Sequence, residues 1–402
     1  MKKILLLCLT VSLPLFLFAQ KPLGEQAAVS VLTCAPSDEE VFTLYGHAAF
    51  RIQDPDQHLD LIFNYGIFDF SKPNFIYRFA KGETDYMLGV ADYLPYVMEY
   101  QMRGSTVTEQ TLNLTPEEKN RLWQALATNA QPQNRIYRYN FFFDNCATRL
   151  PALIERYADG KVLYADRQNS PPTFRDMINH CTRNHPWLTF GCDLALGSPT
   201  DRPATPRETM FLPEYLKEAL SDAAILAPDG TSRPLVSETH TLEAATQGKA
   251  ATDLLTDIFT PLTCAWLLFL LTAVLTLHEW RSRTYCLPLD LFLFTLAGLT
   301  GLVLFFLCFL SEHPSVCPNW SVLWLHPLHL VAAALLCTAK SRNSRHTRYY
   351  HALNFTLLIL LLIGWHFIPQ HLNPAFFPLT AVLCLRSARL LCPAGARDFS
   401  PT

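Results

Sequence analysis

Cys146, His47 and Asn64 are the residues of this 402-residue chain whose types and surroundings could carry chemistry. Cys146 sits in Asn140-Phe141-Phe142-Phe143-Asp144-Asn145-Cys146-Ala147-Thr148-Arg149. The aromatic run from Tyr137 to Phe143 gives way to Asp144 and Asn145, and Leu150, Leu153 and Ile154 then recur at helical spacing. Cys146 is therefore expected at or beside a helix N-terminus, just behind a polar cap. Backbone N–H groups there favour a thiolate and can hold a developing oxyanion. A thiol nucleophile also needs a base and a group that orients the base. His47, in Tyr45-Gly46-His47-Ala48-Ala49-Phe50-Arg51, supplies an imidazole, and Asn64 an acceptor that would hold its tautomer, with Asp69 as the fallback. The plainer reading makes Cys146 a small core cysteine and His47 a hydrogen-bonded core histidine.

The elements that must position these groups read as an α/β mixture in which strands dominate. Asp54-Pro55-Asp56 is a turn, Leu59–Phe63 a strand, and His47 and Asn64 fall on neighbouring strands of a hairpin. Gly46 before His47 points to close backbone approach or a bulge. Lys72–Tyr100 is rich in Phe and Tyr, which reads first as core packing and second as a groove for acyl chains. A strand over Val107–Leu114 precedes a helix opened by Thr115-Pro116-Glu117-Glu118, running to about Thr128. Farther on, Pro171-Pro172-Thr173 opens a helix, and Trp187–Asp193 is a short apolar segment. Asp193, Asp201 and Arg202 read as solvated loop charges, and Thr239–Asp257 as a helical linker.

Net charge is −3, so no basic field argues for a nucleic-acid partner. Apolar residues make up 50% and charged residues 17%, a balance that calls for a membrane portion. Lys2 and Lys3 ahead of the apolar Ile4–Phe18 run, with Ala19 after it, form a secretory signal pattern over residues 1–19. Five apolar segments, near 258–277, 289–310, 320–338, 350–368 and 375–392, meet the requirement of about 20 apolar residues for a spanning helix. Arg386 and Arg389 make the last the weakest. Lys and Arg fall after the first span, between the third and fourth, and after the fifth. Loops 311–319 and 369–374 have none. That asymmetry places the N-terminal domain outside and the C-terminus in the cytoplasm. Among the twelve cysteines, Cys34, Cys146, Cys181, Cys192 and Cys317 would face the oxidising side, an odd set in which Cys181 and Cys192 suggest a disulfide. His313, His326, His329, His366 and His371 recur toward the outer ends of the spans without a metal-ligand spacing and read as polar edges. No P-loop, dinucleotide glycine fingerprint, HExxH or GxSxG is present, so no cofactor or metal is expected.

The segments around His47, Asn64-Tyr65-Gly66-Ile67-Phe68-Asp69-Phe70 and Asp144-Asn145-Cys146-Ala147-Thr148-Arg149 together resemble the Lnb family, the lipoprotein N-acyltransferases of Bacteroidota-type bacteria. The segment order matches over essentially the whole chain. The resemblance implies an α+β papain-like (circularly permuted NlpC/P60-like) periplasmic domain over residues 20–250 and a five-helix membrane domain over 251–402, in the bacterial inner membrane. It further implies that Cys146, assisted by His47 and Asn64, takes an acyl chain from a membrane phospholipid as a thioester. The chain then passes to the α-amino group of the N-terminal diacylglyceryl-cysteine of a lipoprotein. Two other readings use the same residues differently: a membrane-tethered cysteine peptidase or amidase of the cell wall, and a non-catalytic membrane scaffold.

Overall fold

The computed structural model describes residues 21–68, 73–165, 170–244 and 258–391. The expected signal segment 1–19, the fallback residue Asp69 and the C-terminal part of the expected linker lie outside the described residues. The chain forms two units, one up to Pro172 together with Pro203–Lys249, the other Thr173–Arg202 together with the chain from Ala250 on.

The first unit is built on an antiparallel sheet. Its strands are β1 (Ala28–Cys34), β2 (His47–Asp54), β3 (Leu59–Phe68), β4 (Asp85–Asp92), β5 (Val107–Leu112) and β6 (Ile136–Arg138). A small second sheet joins β7 (Lys161–Leu163), β8 (Ala224–Leu226) and β9 (Ser232–Pro234). Strand β10 (Val236–Leu242) returns to the first sheet, whose order is β10-β5-β1-β2-β3-β4-β6. Because side chains alternate along a strand, the central strands bury both faces. Val29, Val31, Phe50, Ile52 and Phe63 pack with Leu122, Trp123, Leu126, Leu150 and Ile154 from two helices. Leu32, Ala49, Ile62 and Val107 pack on the other face with Tyr96 and Val97. Arg51 forks between Asp60 and Glu109, at 2.7 and 2.8 Å, tying β2 to β3 and β5 on that second face.

The helix Pro116–Asn129 begins where its cap residues predict. Thr115 Oγ1 accepts from the Glu118 N–H, and Glu118 accepts from the Thr115 N–H. The Lys72–Tyr100 aromatics divide. Tyr86 packs against the core and Tyr96 lies within it, whereas Ile76, Tyr77, Phe79, Leu94, Met98 and Met102 are exposed. Thr239–Leu242, read as the start of a helical linker, instead belongs to β10 and pairs with β5 from Val107 to Gln110. β-branched Thr239 and Thr241 suit a strand, and the open edge of β5 supplies the partner that local sequence does not show.

In the second unit, Pro261–Ser282 and Leu287–Phe309 are helices long and apolar enough to cross a membrane. The third expected span is interrupted. A 3-10 turn at Trp320–Leu323 leads through Pro327 into the helix Leu328–Leu336. The fourth helix is Arg345–Ile363, starting earlier than expected, and the fifth is Phe376–Leu391. Arg386, which weakens the fifth as a span, is wholly buried between Asp290 at 2.6 Å and Glu279 at 2.8 Å, and Arg389 also pairs with Glu279. Oppositely charged partners on other helices offset part of the penalty that an isolated buried arginine would carry. His329 is no polar edge. It is buried, its Nε2–H donates to Trp324 O at 3.0 Å and its Nδ1 lies 2.7 Å from the Tyr350 hydroxyl.

The segment Thr173–Arg202 folds as two helices, Phe174–Thr182 and Pro186–Ala195. Asp193 and Asp201 are not solvated loop charges, whereas Arg202 is exposed. Arg175 is buried and bonds Asp201 at 2.6 Å and Asp193 at 3.1 Å. Asp193 in turn accepts from Asn373 at 2.9 Å. Long-range pairing of this kind has no local sequence signature. Arg175→Met strands two carboxylates, one of them fully buried, and is expected to cost roughly 3–5 kcal/mol. A thermal melt of the purified protein checks this; an unchanged Tm would show the trio to be dispensable. Cys181 lies in the first of the two helices and Cys192 in the second.

Candidate active site

The hairpin β2–β3 and the helix Cys146–Tyr157 bring the three expected residues together. His47 opens β2, Asn64 lies on β3, and Cys146 is the first residue of its helix. Asn145 caps that helix. Its Oδ1 accepts from the N–H groups of Ala147 and Thr148, both at 2.9 Å, and its Nδ2 donates to the carbonyls of Phe141 and Phe211, both at 2.8 Å. The cap thus fixes both the helix start and the loop ahead of it. Asp144 and Arg149 form a two-toothed ion pair at 2.5 and 2.8 Å, and the Arg149 guanidinium lies 3.5 Å over the Tyr137 ring.

His47 Nε2–H donates to Asn64 Oδ1 at 2.6 Å. The ring also hydrogen-bonds Cys146. With Nε2 committed to Asn64, Nδ1 is the nitrogen left for the thiol. Tyr100 stacks parallel to the imidazole with centroids 6.0 Å apart. Gly46, at φ +72°, lets the chain run close to Cys34 O, where a Cβ would sit 2.7 Å away. Gly66 lies under the pair. A Cβ there would come 3.6 Å from His47 Cε1 and 3.8 Å from Cys146 Cβ, and its φ of +101° is a conformation L-residues avoid.

Desolvation works against the Cys146 thiolate, but the charge and hydrogen bond of His47, with the N–H groups of Ala48 and Ala147, outweigh it and lower the thiol. Desolvation likewise works against the imidazolium, yet Cys146 and the Asn64 hydrogen bond raise His47 above its ordinary value. Both shifts run in the direction that favours a thiolate–imidazolium pair. Cys34 shows the contrast, since burial pushes its thiol up to about 12 despite a hydrogen bond with Tyr96. Burial and the nearby Cys146 also push the Tyr86 phenol up to about 12 and Tyr139 well above its usual range, so both remain neutral beside the sulfur.

Asn64 and Gly66 thus stand in one short motif, and Tyr65 between them accepts from Asn129 at 2.9 Å. Residues 23–180 match the family model of the Lnb N-terminal periplasmic domain, and residues 253–395 match that of the Lnb transmembrane domain. The chain belongs to the Lnb family. It is therefore a membrane protein with a periplasmic N-terminal domain and a C-terminal transmembrane domain. No curated protein and no solved structure matched the chain. All three expected site residues lie within the matched Lnb periplasmic domain, whereas β10, which completes the sheet, lies beyond its end. Among the described residues of this Lnb chain, no group of three His, Cys, Asp or Glu side chains is placed to hold a metal ion.

Sequence reading assigned no part in the site to Gly66 or Tyr139, and placed Tyr100 only in an aromatic segment read as core packing or a groove for acyl chains. Gly66 carried a signal in its place directly after Asn64-Tyr65 on a strand that must pair with the His47 strand. The two tyrosines reach the site through the fold alone.

Proposed function

We propose that this Lnb protein is a lipoprotein N-acyltransferase acting through a Cys146 thioester. The observation that carries the reading is the Cys146–His47–Asn64 arrangement at a capped helix start, in a chain of this family. The Cys146 thiolate attacks a phospholipid ester carbonyl, and the oxyanion forms near the N–H groups that start the helix. His47 gives its proton to the departing lysophospholipid oxygen. The now neutral imidazole then accepts a proton from the α-amino group of the lipoprotein's diacylglyceryl-cysteine as that nitrogen attacks the thioester. The amide forms, the thiolate leaves, and the ion pair is restored.

The exposed Ile76, Tyr77, Phe79, Leu94, Met98 and Met102 support a surface that works against lipid, and Tyr86, Tyr100 and Tyr139 support a water-poor site that favours an amine over hydrolysis. The fold we assign is papain-like, in its circularly permuted form. We read the membrane domain as five helical passes in the bacterial inner membrane, with the catalytic domain in the periplasm and the C-terminus in the cytoplasm. The buried pairing of Arg386 supports counting the fifth helix. The donor is a phospholipid and the acceptors are diacylated lipoproteins.

Mass spectrometry of a lipoprotein's N-terminal peptide tests the reading. Cells with the protein should yield the N-acylated peptide and cells lacking it the free-amine form. Loss of a wall peptide crosslink with unchanged lipoproteins would support the hydrolase instead. Asn64→Ala removes the acceptor that orients His47 and is expected to slow transfer on the order of 10- to 100-fold, mostly in kcat. An unchanged kcat would remove Asn64 from the site.

A further inference from the structure

Outside the catalytic centre, two thiols of the membrane unit meet. Cys308 lies in the last turn of the helix Leu287–Phe309, and Cys317 in the following non-helical loop. Cys308 Sγ points to the Val316 carbonyl at 3.6 Å, and the two side chains are in hydrogen-bond contact with each other. Both cysteines are thiols in the structure, and both are partly exposed.

The loop that carries Cys317 is itself a receptor. Gly197 N–H donates to Ser315 O and Ser198 N–H to Pro318 O, both at 2.9 Å, and Asn319 Nδ2 donates to Leu194 O at 2.8 Å. The turn after the helix Pro186–Ala195 is thereby seated on residues 315–319. Gly197 is required at that contact, since a Cβ would fall 2.5 Å from Pro318 O and 2.7 Å from Val316 O. A fixed loop therefore fixes the turn of the same unit that rests on it.

We propose that Cys308 and Cys317 are joined by a disulfide in the cell envelope, as a staple that holds this loop. The proposal rests on the topology given above, which puts loop 311–319 on the oxidising side. One S–S bond forms and two S–H bonds break. The two electrons and two protons pass, by thiol–disulfide exchange, to the disulfide of an envelope thiol oxidant, which leaves as a dithiol. Counting Cys308 makes the outward cysteines six, of which the pairing leaves Cys34, Cys146, Cys181 and Cys192. Cys317 takes its partner from the helix end and so does not compete for Cys146.

The test is peptide mapping of the full chain in membranes whose free thiols are blocked before digestion. The expected result is one linked peptide pair containing Cys308 and Cys317, separated by reductant with a gain of two hydrogens, and a blocked Cys146. Both cysteines blocked before reduction, or Cys317 linked elsewhere, overturns the staple. A Cys308→Ser variant, reduced and then treated with a membrane-impermeant maleimide, separates the two layers of the argument. If Cys317 is labelled from outside while the wild-type pair is found reduced, the staple alone fails. If Cys317 is not labelled, the topology fails and the staple with it.

Discussion

Cys146→Ala is expected to reduce acyl transfer to background, a loss of about 10⁴-fold or more, with the protein still folded and inserted. The magnitude follows from the role, because removing a covalent nucleophile removes the two-step route altogether. The fold should survive because the thiol does not hold the helix. Asn145 caps it through Ala147 and Thr148, and Asp144–Arg149 clamps the loop ahead of it. Cys146→Ser should be nearly as inactive. The His47 pair that lowers the thiol does not bring a hydroxyl, far weaker as an acid, into its anionic form near neutral pH. Cys34→Ala is the matched control: its buried, raised thiol predicts retained transfer. A variant at Cys146 with substantial transfer would exclude the thioester route.

His47→Gln is expected to cost roughly 10³-fold in kcat, because one side chain serves as ion-pair partner, acid and base. The pH dependence gives a sharper signature. Cys146 is lowered and His47 raised, each in the direction that favours the charged pair, so transfer is expected to fall off toward both low and high pH. As pH falls through the Cys146 value the thiolate is protonated and the rate drops, at a pH below that of an ordinary thiol. As pH rises through the His47 value the imidazolium is lost, and with it the acid for the departing lysophospholipid. That limb lies above the ordinary imidazole value. The first half-reaction, followed as lysophospholipid release, should therefore show a bell. In His47→Gln the alkaline limb should vanish and the acid limb move upward, since the thiol loses the charge that lowered it. Identical limbs in wild type and variant would contradict the assignment.

The local part of this site was open to sequence reading, because it depends on local rules. A polar pair ahead of helical periodicity marks the Cys146 helix start, and a turn between two apolar runs marks the hairpin whose strands bring the His47 and Asn64 side chains together. Other features needed the fold. The buried trio of Arg175, Asp193 and Asp201 joins residues separated by up to 26 positions, and each alone looks like a surface charge. Arg386 interrupts an apolar segment until its carboxylate partners on two other helices are known. The interruption of the third apolar segment leaves hydropathy unchanged, so a composition window cannot find it. Thr239–Leu242 looked like linker because the strand edge that recruits it lies more than a hundred residues earlier in the chain. Gly66 shows the middle case. Its motif position is visible, but its closeness to both His47 and Cys146 exists only once β3 and the Cys146 helix are packed.

The central claim is that the sulfur of Cys146 carries the acyl chain. Purified protein given phospholipid alone, without a lipoprotein acceptor, should release one lysophospholipid per active site and then stall. Peptide mass spectrometry should find the fatty acyl mass on Cys146, removable by neutral hydroxylamine, and addition of a diacylated lipopeptide should discharge it as an amide. Transfer that proceeds with Cys146 unmodified at every time point, or an acyl group found on a different residue, would contradict the account.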